Sequence, residues 1–303
     1  MADITEQAAL LALVNHTTSE WYKTASLIEE VGSALALLDG ALPALDETDA
    51  RVVAALRQQV TSDEVERYAT QIHTWTSSGL RLVTVLDDAY PLNLREVYNR
   101  PPFLFLRGDL LPEDNRSLAV VGTRTPTPQG LGQARQLARD LADRGVTVLS
   151  GLARGIDSAA HQGALEAGGR TVAVFGTGIN RIYPPEHASL AARIIDHGAH
   201  VSQFWPDAPP TKFSFPMRNV VSSGMALGTV VVEAHGRSGA RMQARLCLEH
   251  GKRLFLVRSL VLYEEWAQRY AERPGAMVVE SVDDVVGLLD ELLSPPVQLS
   301  LYQ

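Results

Sequence analysis

From Ser117 onward, short valine-rich apolar runs alternate with amphipathic stretches. The runs are Leu118–Val121, Val146–Leu149, Thr171–Phe175, Ala199–Phe204, Thr229–Val232 and Leu254–Val257. Between them lie Gln133–Arg144, Ser158–Ala167, His187–His197 and Ala240–His250, whose apolar positions recur at helical spacing. Each run is nearly continuous in hydrophobicity and bounded by glycine, as strands buried on both faces are. Strand–helix alternation of this kind predicts an α/β fold, a doubly wound, mostly parallel sheet with helices on both sides.

Upstream, Ala8, Leu11, Ala12, Val14, Leu27, Ile28, Val31, Leu35 and Leu38 predict short helices over 4–40, punctuated by Gly40 and Pro43. Residues 46–78 read as a further helical stretch. Leu80–Val85 reads as a strand, 87–91 as a turn and Phe103–Arg107 as an extended segment. Past the alternating region come a helix, a strand Met277–Val279 and a helix Val282–Leu293, stopped by Pro295-Pro296. The expected organisation is a small helical N-terminal domain over 1–79, the α/β domain over 80–258 and a helix-strand-helix extension over 259–303.

Several classes of function are disfavoured. No apolar run approaches the roughly 20 residues that span a bilayer. The first ten residues lack a basic segment followed by an apolar one, so no secretory leader is expected. Cys247 is the one cysteine, which fits a reducing cytoplasm and leaves no thiolate metal cluster. The formal net charge of -8 argues against a polyanionic partner. That argument is weak, because a focused basic pocket acts within a screening length of about 8–10 Å.

Ligands in open parallel sheets sit beyond the carboxyl ends of the strands, where strand order reverses. Four glycine-bearing turns fall there: Gly122-Thr123-Arg124, Ser150 to Asp157, Gly176-Thr177-Gly178 and Glu233 to Gly239. Glycine lets an anion approach the backbone, the next helix start supplies amides, and arginine adds a bidentate charge. None of the turns is a P-loop or a full G-x-G-x-x-G fingerprint. No ATP, nicotinamide or other cofactor and no metal is therefore expected.

The order of motifs resembles the DprA/Smf family, the DNA processing protein A group, over roughly 80–258. The resemblance rests on Val121-Gly122-Thr123-Arg124 with Pro126 and Gly130, and on Ser150-Gly151-Leu152-Ala153-Arg154-Gly155-Ile156-Asp157 running on to His161. It continues through Gly176-Thr177-Gly178 with Tyr183-Pro184, Phe215-Pro216-Met217-Arg218-Asn219, and Arg237-Ser238-Gly239-Ala240. It implies a Rossmann-like domain and a protein that binds single-stranded DNA without cutting it. Such proteins protect incoming strands in transformation, load the RecA recombinase and act as homodimers. By the same resemblance Arg124, Lys212, Arg218 and Asn219 hold the DNA, with Gly122, Thr123, Gly151, Arg154, Gly176, Ser238 and Gly239 around them. Phe213 and Phe215 are candidates for base stacking.

The chain departs from the family pattern in three places. Val220 stands where the family has a second arginine after Asn219, which removes an expected cation. His16-Thr17-Thr18-Ser19 replaces a glycine-rich turn, and Tyr263-Glu264-Glu265-Trp266 is expected to run on as a helix in place of a glycine-rich loop. No winged-helix module is expected after the sheet.

Single residues carry alternatives. Asp157 reads as a helix cap and His161 as a packed or hydrogen-bonded core residue. Arg154 is either a phosphate ligand or a partner of Asp157. Glu233 is either a partner of Arg218 or of a backbone donor, or a ribose or base contact. Cys247 reads as a core thiol, Trp21, Trp205 and Trp266 as packing residues, and Glu264-Glu265 as a solvated face. The competing functions are a nucleotide hydrolase of the same superfamily and a nucleotide-binding sensor, as in phage defence.

Overall fold

The computed structural model describes residues 3–17, 21–40 and 47–293. Pro43, Thr18-Ser19 and Pro295-Pro296 lie outside the described residues. Among those described, nine strands form one sheet in the order β1-β2-β6-β5-β4-β3-β7-β8-β9. They are β1 (Arg81–Thr84), β2 (Phe103–Gly108), β3 (Ser117–Val121), β4 (Thr147–Ser150), β5 (Thr171–Val174), β6 (Gly198–Ser202), β7 (Gly228–Val231), β8 (Arg253–Val257) and β9 (Ala276–Val279). Strands β3 to β9 pair in parallel, while β1 and β2 add an antiparallel edge on β6. The predicted doubly wound sheet is therefore present. The 259–303 extension also contributes to it, because β9 pairs with β8.

The helices are α1 (Ile4–Asn15), α2 (Trp21–Val31), α3 (Ala34–Asp39), α4 (Glu47–Gln59), α5 (Ser62–Ser77) and α6 (Leu92–Arg95), then α7 (Pro128–Asp143), α8 (Ile156–Glu166) and α9 (Ala188–His197). They continue with α10 (Ser214–Met225), α11 (Gly239–Glu249), α12 (Arg258–Tyr263), α13 (Glu265–Ala271) and α14 (Val282–Leu293). The expected continuous helix through Tyr263-Trp266 is broken at Glu264, whose φ of -119 and ψ of 110 are extended.

Alternate residues of each strand face opposite layers, as the pleat requires. Leu118, Val120, Val148 and Val230 face α7, α8 and α14. Ala119, Leu149, Val172 and Val201 face a core shared with the N-terminal helices and α10. Trp21, Trp75 and Trp205 gather around Phe103 and Phe105, with ring centroids 4.9–6.3 Å from them. The three tryptophans read as packing residues, Trp21, Trp205 and Trp266, do pack. Trp266 is buried and donates from Nε1 to the Ala234 carbonyl. Cys247 is a buried thiol, its pKa pushed up to about 11 by desolvation.

Three histidines are held neutral inside the fold. The His161 Nδ1 lies 2.7 Å from the Thr171 hydroxyl, which itself donates to the Val148 carbonyl. The imidazole must therefore donate from Nδ1. Desolvation lowers His161 to about 3, and lowers His200 and His250 to about 4. Below the unfolded-chain value of about 6.5, the unfolded state takes up protons that the native state refuses. Native stability should thus fall as the pH drops from about 6.5 towards those folded values. His161, fully buried, contributes up to about 1.4 kcal/mol per pH unit. Urea unfolding of the native chain and of His161→Gln at pH 7, 6 and 5 checks this, the variant showing the shallower decline.

Candidate functional site

The chain leaves β3 in one direction through β4, β5 and β6, then returns to its other side with β7, β8 and β9. Connections diverge there, and a crevice opens beyond the carboxyl ends of β3 and β7. It holds a cavity of about 460 Å³.

Three loops are laced together at its rim. The Thr123 amide donates to the Glu233 carbonyl at 2.6 Å, and the Ile156 amide donates to the Thr123 carbonyl at 3.2 Å. Gly155, at φ 78, presses against the Thr123 carbonyl and Pro126, where a Cβ has no space. Leu152 takes the left-handed conformation at φ 58, an uncommon state for a branched side chain. Asp157 supports this turn by accepting from the Gly151 amide at 3.1 Å.

Four cationic side chains line the cavity: Arg124, Lys212, Arg218 and Arg237. Among the described residues none of them has an ion-pair partner. Arg218 is 8% exposed. It donates from Nη1 to the Val174 carbonyl at 2.9 Å and from Nε to Asn219 Oδ1 at 3.1 Å. Asn219 Nδ2 in turn donates to the Gly239 carbonyl at 3.4 Å. With its amide oriented to satisfy both neighbours, Gln243 donates to the Asn219 carbonyl at 3.3 Å and accepts from the Ser223 amide at 3.2 Å. Arg124 lies over Phe215, 5.3 Å from the ring centroid, and Lys212 lies 4.9 Å from that of Phe213.

Burial pushes the Arg218 guanidinium down, opposed by Asp157 and reinforced by Arg124. Burial pushes the Asp157 carboxyl up, against the pull of Arg218 and of the backbone amides it accepts. A guanidinium stays charged under these conditions. The cavity is therefore a region of excess positive charge around one carboxylate. The start of α11 faces it as well. Ser238 caps that helix by accepting from the Arg241 amide at 3.2 Å. The first-turn amides of Gly239 and Ala240 have no intrahelical partner, and the helix dipole adds positive potential. The arrangement is that of an anion site.

Comparison with known proteins gives this geometry a lineage. The sequence pattern of the DNA recombination-mediator protein A family matches residues 81–290. The chain belongs to this family. It is 43% identical over 175 residues to Protein Smf of Escherichia coli, a match spanning 57% of this chain and 47% of that protein. The structure of DNA processing protein A from Streptococcus pneumoniae superposes with a TM-score of 0.72 at 28% identity, covering 94% of this chain and 98% of that one. A structure of DNA processing protein A from Helicobacter pylori, described for its unique single-stranded DNA binding mode, gives 0.62 at 25% identity over 70% and 96%. The chain thus spans about half the length of the Escherichia coli relative.

Set beside the recombination-mediator family pattern, most expected ligands converge. Gly122, Thr123, Arg124, Lys212, Arg218, Asn219, Ser238 and Gly239 all line the cavity. Gly151 and Gly176 do not reach it but shape its wall, since a Cβ on Gly151 would overlap the Arg218 guanidinium and one on Gly176 would meet the Phe215 ring. Arg154 is outside this cavity and is not a partner of Asp157, but it lines a small adjoining pocket with Arg124, Phe215 and Arg218. It pairs with Glu186 at the exposed surface, because the turn carries its side chain away from the helix start. Phe213 is 67% exposed and outside the cavity, and Phe215 is the aromatic that lines it.

Asp157 is not the cap of α8, a position held by Gly155. Glu233 does not pair with Arg218. Its carboxylate accepts from the Thr127 amide at 3.0 Å and the Thr127 hydroxyl at 2.8 Å. Val220 does not line the cavity. It stands about 200° around α10 from Arg218, so its side chain leaves the opposite side of the helix. Arg237 and Asp157 were not among the expected ligands. The tip position of Arg237 in the fourth turn was the available signal.

The Gly151 contact yields a direct expectation. Gly151→Ala should displace the Arg218 guanidinium from the Val174 carbonyl and lower stability by about 1–3 kcal/mol, as overpacking does. Urea denaturation measures the loss, and an unchanged midpoint would refute the packing described.

Proposed function

We propose that this chain binds the sugar-phosphate backbone of single-stranded DNA in the four-cation cavity and acts by holding the strand. The observation that carries the reading is the meeting of Arg124, Lys212, Arg218 and Arg237 at the first turn of α11, none of them ion-paired with a carboxylate among the described residues. Four cations gathered around the single carboxylate Asp157 leave an excess of positive charge, which a phosphate would offset. The relative from Helicobacter pylori is described as binding single-stranded DNA, which supports the same ligand here.

Holding without cleavage fits the polar groups on hand. The cavity offers donors, and Asp157, its carboxylate, is occupied by the Gly151 amide. Delivery of the strand to the RecA recombinase, action as a homodimer and a place in the cytoplasm complete the proposal. The family's description as a recombination mediator supports the first, and resemblance alone supports the second. Among the described residues no helix is long and apolar enough to cross a membrane.

Fluorescence anisotropy with a labelled oligothymidine tests the reading. Arg124→Ala and Arg218→Ala should each weaken binding by about 1–3 kcal/mol, the loss typical of a charged hydrogen-bond partner. Each should also flatten the dependence of log affinity on log salt by about 0.7, one phosphate contact's worth. Arg144→Ala, which removes a cation paired with Asp283 outside the cavity, should leave both unchanged. Unaltered binding in Arg124→Ala, or release of free base from a nucleoside monophosphate, would overturn it.

A further inference from the structure

A second crevice of about 240 Å³ lies on the other side of the Glu233–Ser238 loop from the cationic cavity. The start of α7, the end of β7 and the short helix α12 enclose it. Its chemistry is opposite to that of its neighbour. Glu233 and Glu264 line it, and lysine and arginine are absent from its lining. A phosphate is repelled there by about the same reasoning that draws it to the first cavity. What the crevice offers is a mixed set of donors and acceptors over an apolar floor. Ser259 donates to Gln133 Oε1 at 3.4 Å, and Val232, Ala234 and Leu260 supply the floor.

Two features define the ligand. Glu264, expected on a solvated face, has a side chain only 25% exposed. One of its oxygens lies 3.1 Å from His235 Nδ1, and the other has no partner among the described residues. At the crevice mouth the Tyr263 ring is 85% exposed and free of contact with other described aromatic rings. An aromatic face beside a carboxylate acceptor suits a flat heterocycle that carries an exocyclic amine. Carboxylates accept from the N4 amine of cytosine, and aromatic side chains stack any base. Thymine presents a carbonyl at the same position, which faces a carboxylate unfavourably.

We propose that this crevice receives an amino-bearing nucleobase of the strand whose backbone lies in the cationic cavity. The loop between the two sites is rigidly tied, because Glu233 accepts from Thr127 through its carboxylate and from the Thr123 amide through its carbonyl. A strand crossing that loop places phosphate on one side and base on the other. The proposal rests on the single-stranded DNA reading and adds base preference to it.

The test compares oligodeoxycytidine with oligothymidine of equal length, at one salt concentration, by anisotropy. The native chain should favour cytidine by about tenfold, the scale of one stacked base with a carboxylate contact. Tyr263→Ala should weaken cytidine binding by about tenfold and thymidine binding less. Glu264→Gln should erase the preference, chiefly by raising the thymidine affinity, since its amide donates to the thymine carbonyl. Salt slopes should not change in either variant. Equal affinity of the native chain for both oligonucleotides, or equal weakening of both in Tyr263→Ala, would overturn the proposal. Should neither oligonucleotide bind, the single-stranded DNA reading falls on its own. Saturation transfer to free deoxycytidine, lost in Tyr263→Ala, would then still support a base site, and its absence in the native chain would remove it.

Discussion

Arg218 is the residue on which the site's electrostatics turn. Its guanidinium is buried, hydrogen-bonded to the Val174 carbonyl and to Asn219, and not ion-paired among the described residues. Asp157 lowers the penalty of that buried charge without removing it. A native structure keeps such a charge only where surrounding contacts over-determine it. Here the wall of Gly151 leaves room for it, and Asn219 ties it through the Gly239 carbonyl to the start of α11. The site is thereby preorganised: its cation is in place before any anion arrives, so binding need not bear the ordering of that side chain.

The sheet makes this possible. Because β3 is the point from which the chain winds outward in both directions, its loop is flanked by the loops of β4 and β7. The hydrogen bonds that lace Thr123 to Glu233 and Ile156 to Thr123 convert three separate turns into one rim. Their contacts are so close that glycine, or a strained Leu152, is the residue that fits. Strain in a loop held by a rigid parallel sheet is a common feature of binding sites.

Much of this was legible in the residues. Six strands, β3 to β8, follow from apolar runs whose near-continuity marks two buried faces, and the amphipathic stretches between them from helical spacing; that β9 joins the same sheet is not visible in its shorter, half-exposed run. The convergence of Arg124, Lys212, Arg218 and Asn219 was carried by motif order, since cations distant in sequence meet only through the fold. Motif position alone does not fix where a side chain points: Arg154, Phe213 and Val220 lie outside the main cavity because their orientation depends on how the chain turns. The tip of the β4 turn sends Arg154 to Glu186. Phe213 precedes the first turn of α10, and the helix that carries Arg218 and Asn219 inward carries Val220 outward. Of the alternatives open for Glu233, the backbone donor is the one present, the Thr127 amide; which donor it meets depends on a loop register that no periodicity reveals.

The acidic bulk and the cationic cavity are compatible because their fields act over different ranges. At physiological salt the screening length of about 8 Å damps the field of distant carboxylates before it reaches the crevice, while the crevice's own guanidinium groups act at contact range on any anion that enters. Most surface arginines are already spent on carboxylates, as Arg116 is on Asp290, Arg144 on Asp283 and Arg170 on Asp114. Pairing of this kind weakens nonspecific attraction for polyanions over those parts of the surface, while Arg124, Lys212, Arg218 and Arg237 meet unpaired in one crevice among the described residues. A net charge of -8 disfavours contact with polyanions over the surface at large, which leaves the β3 crevice as a local exception in potential.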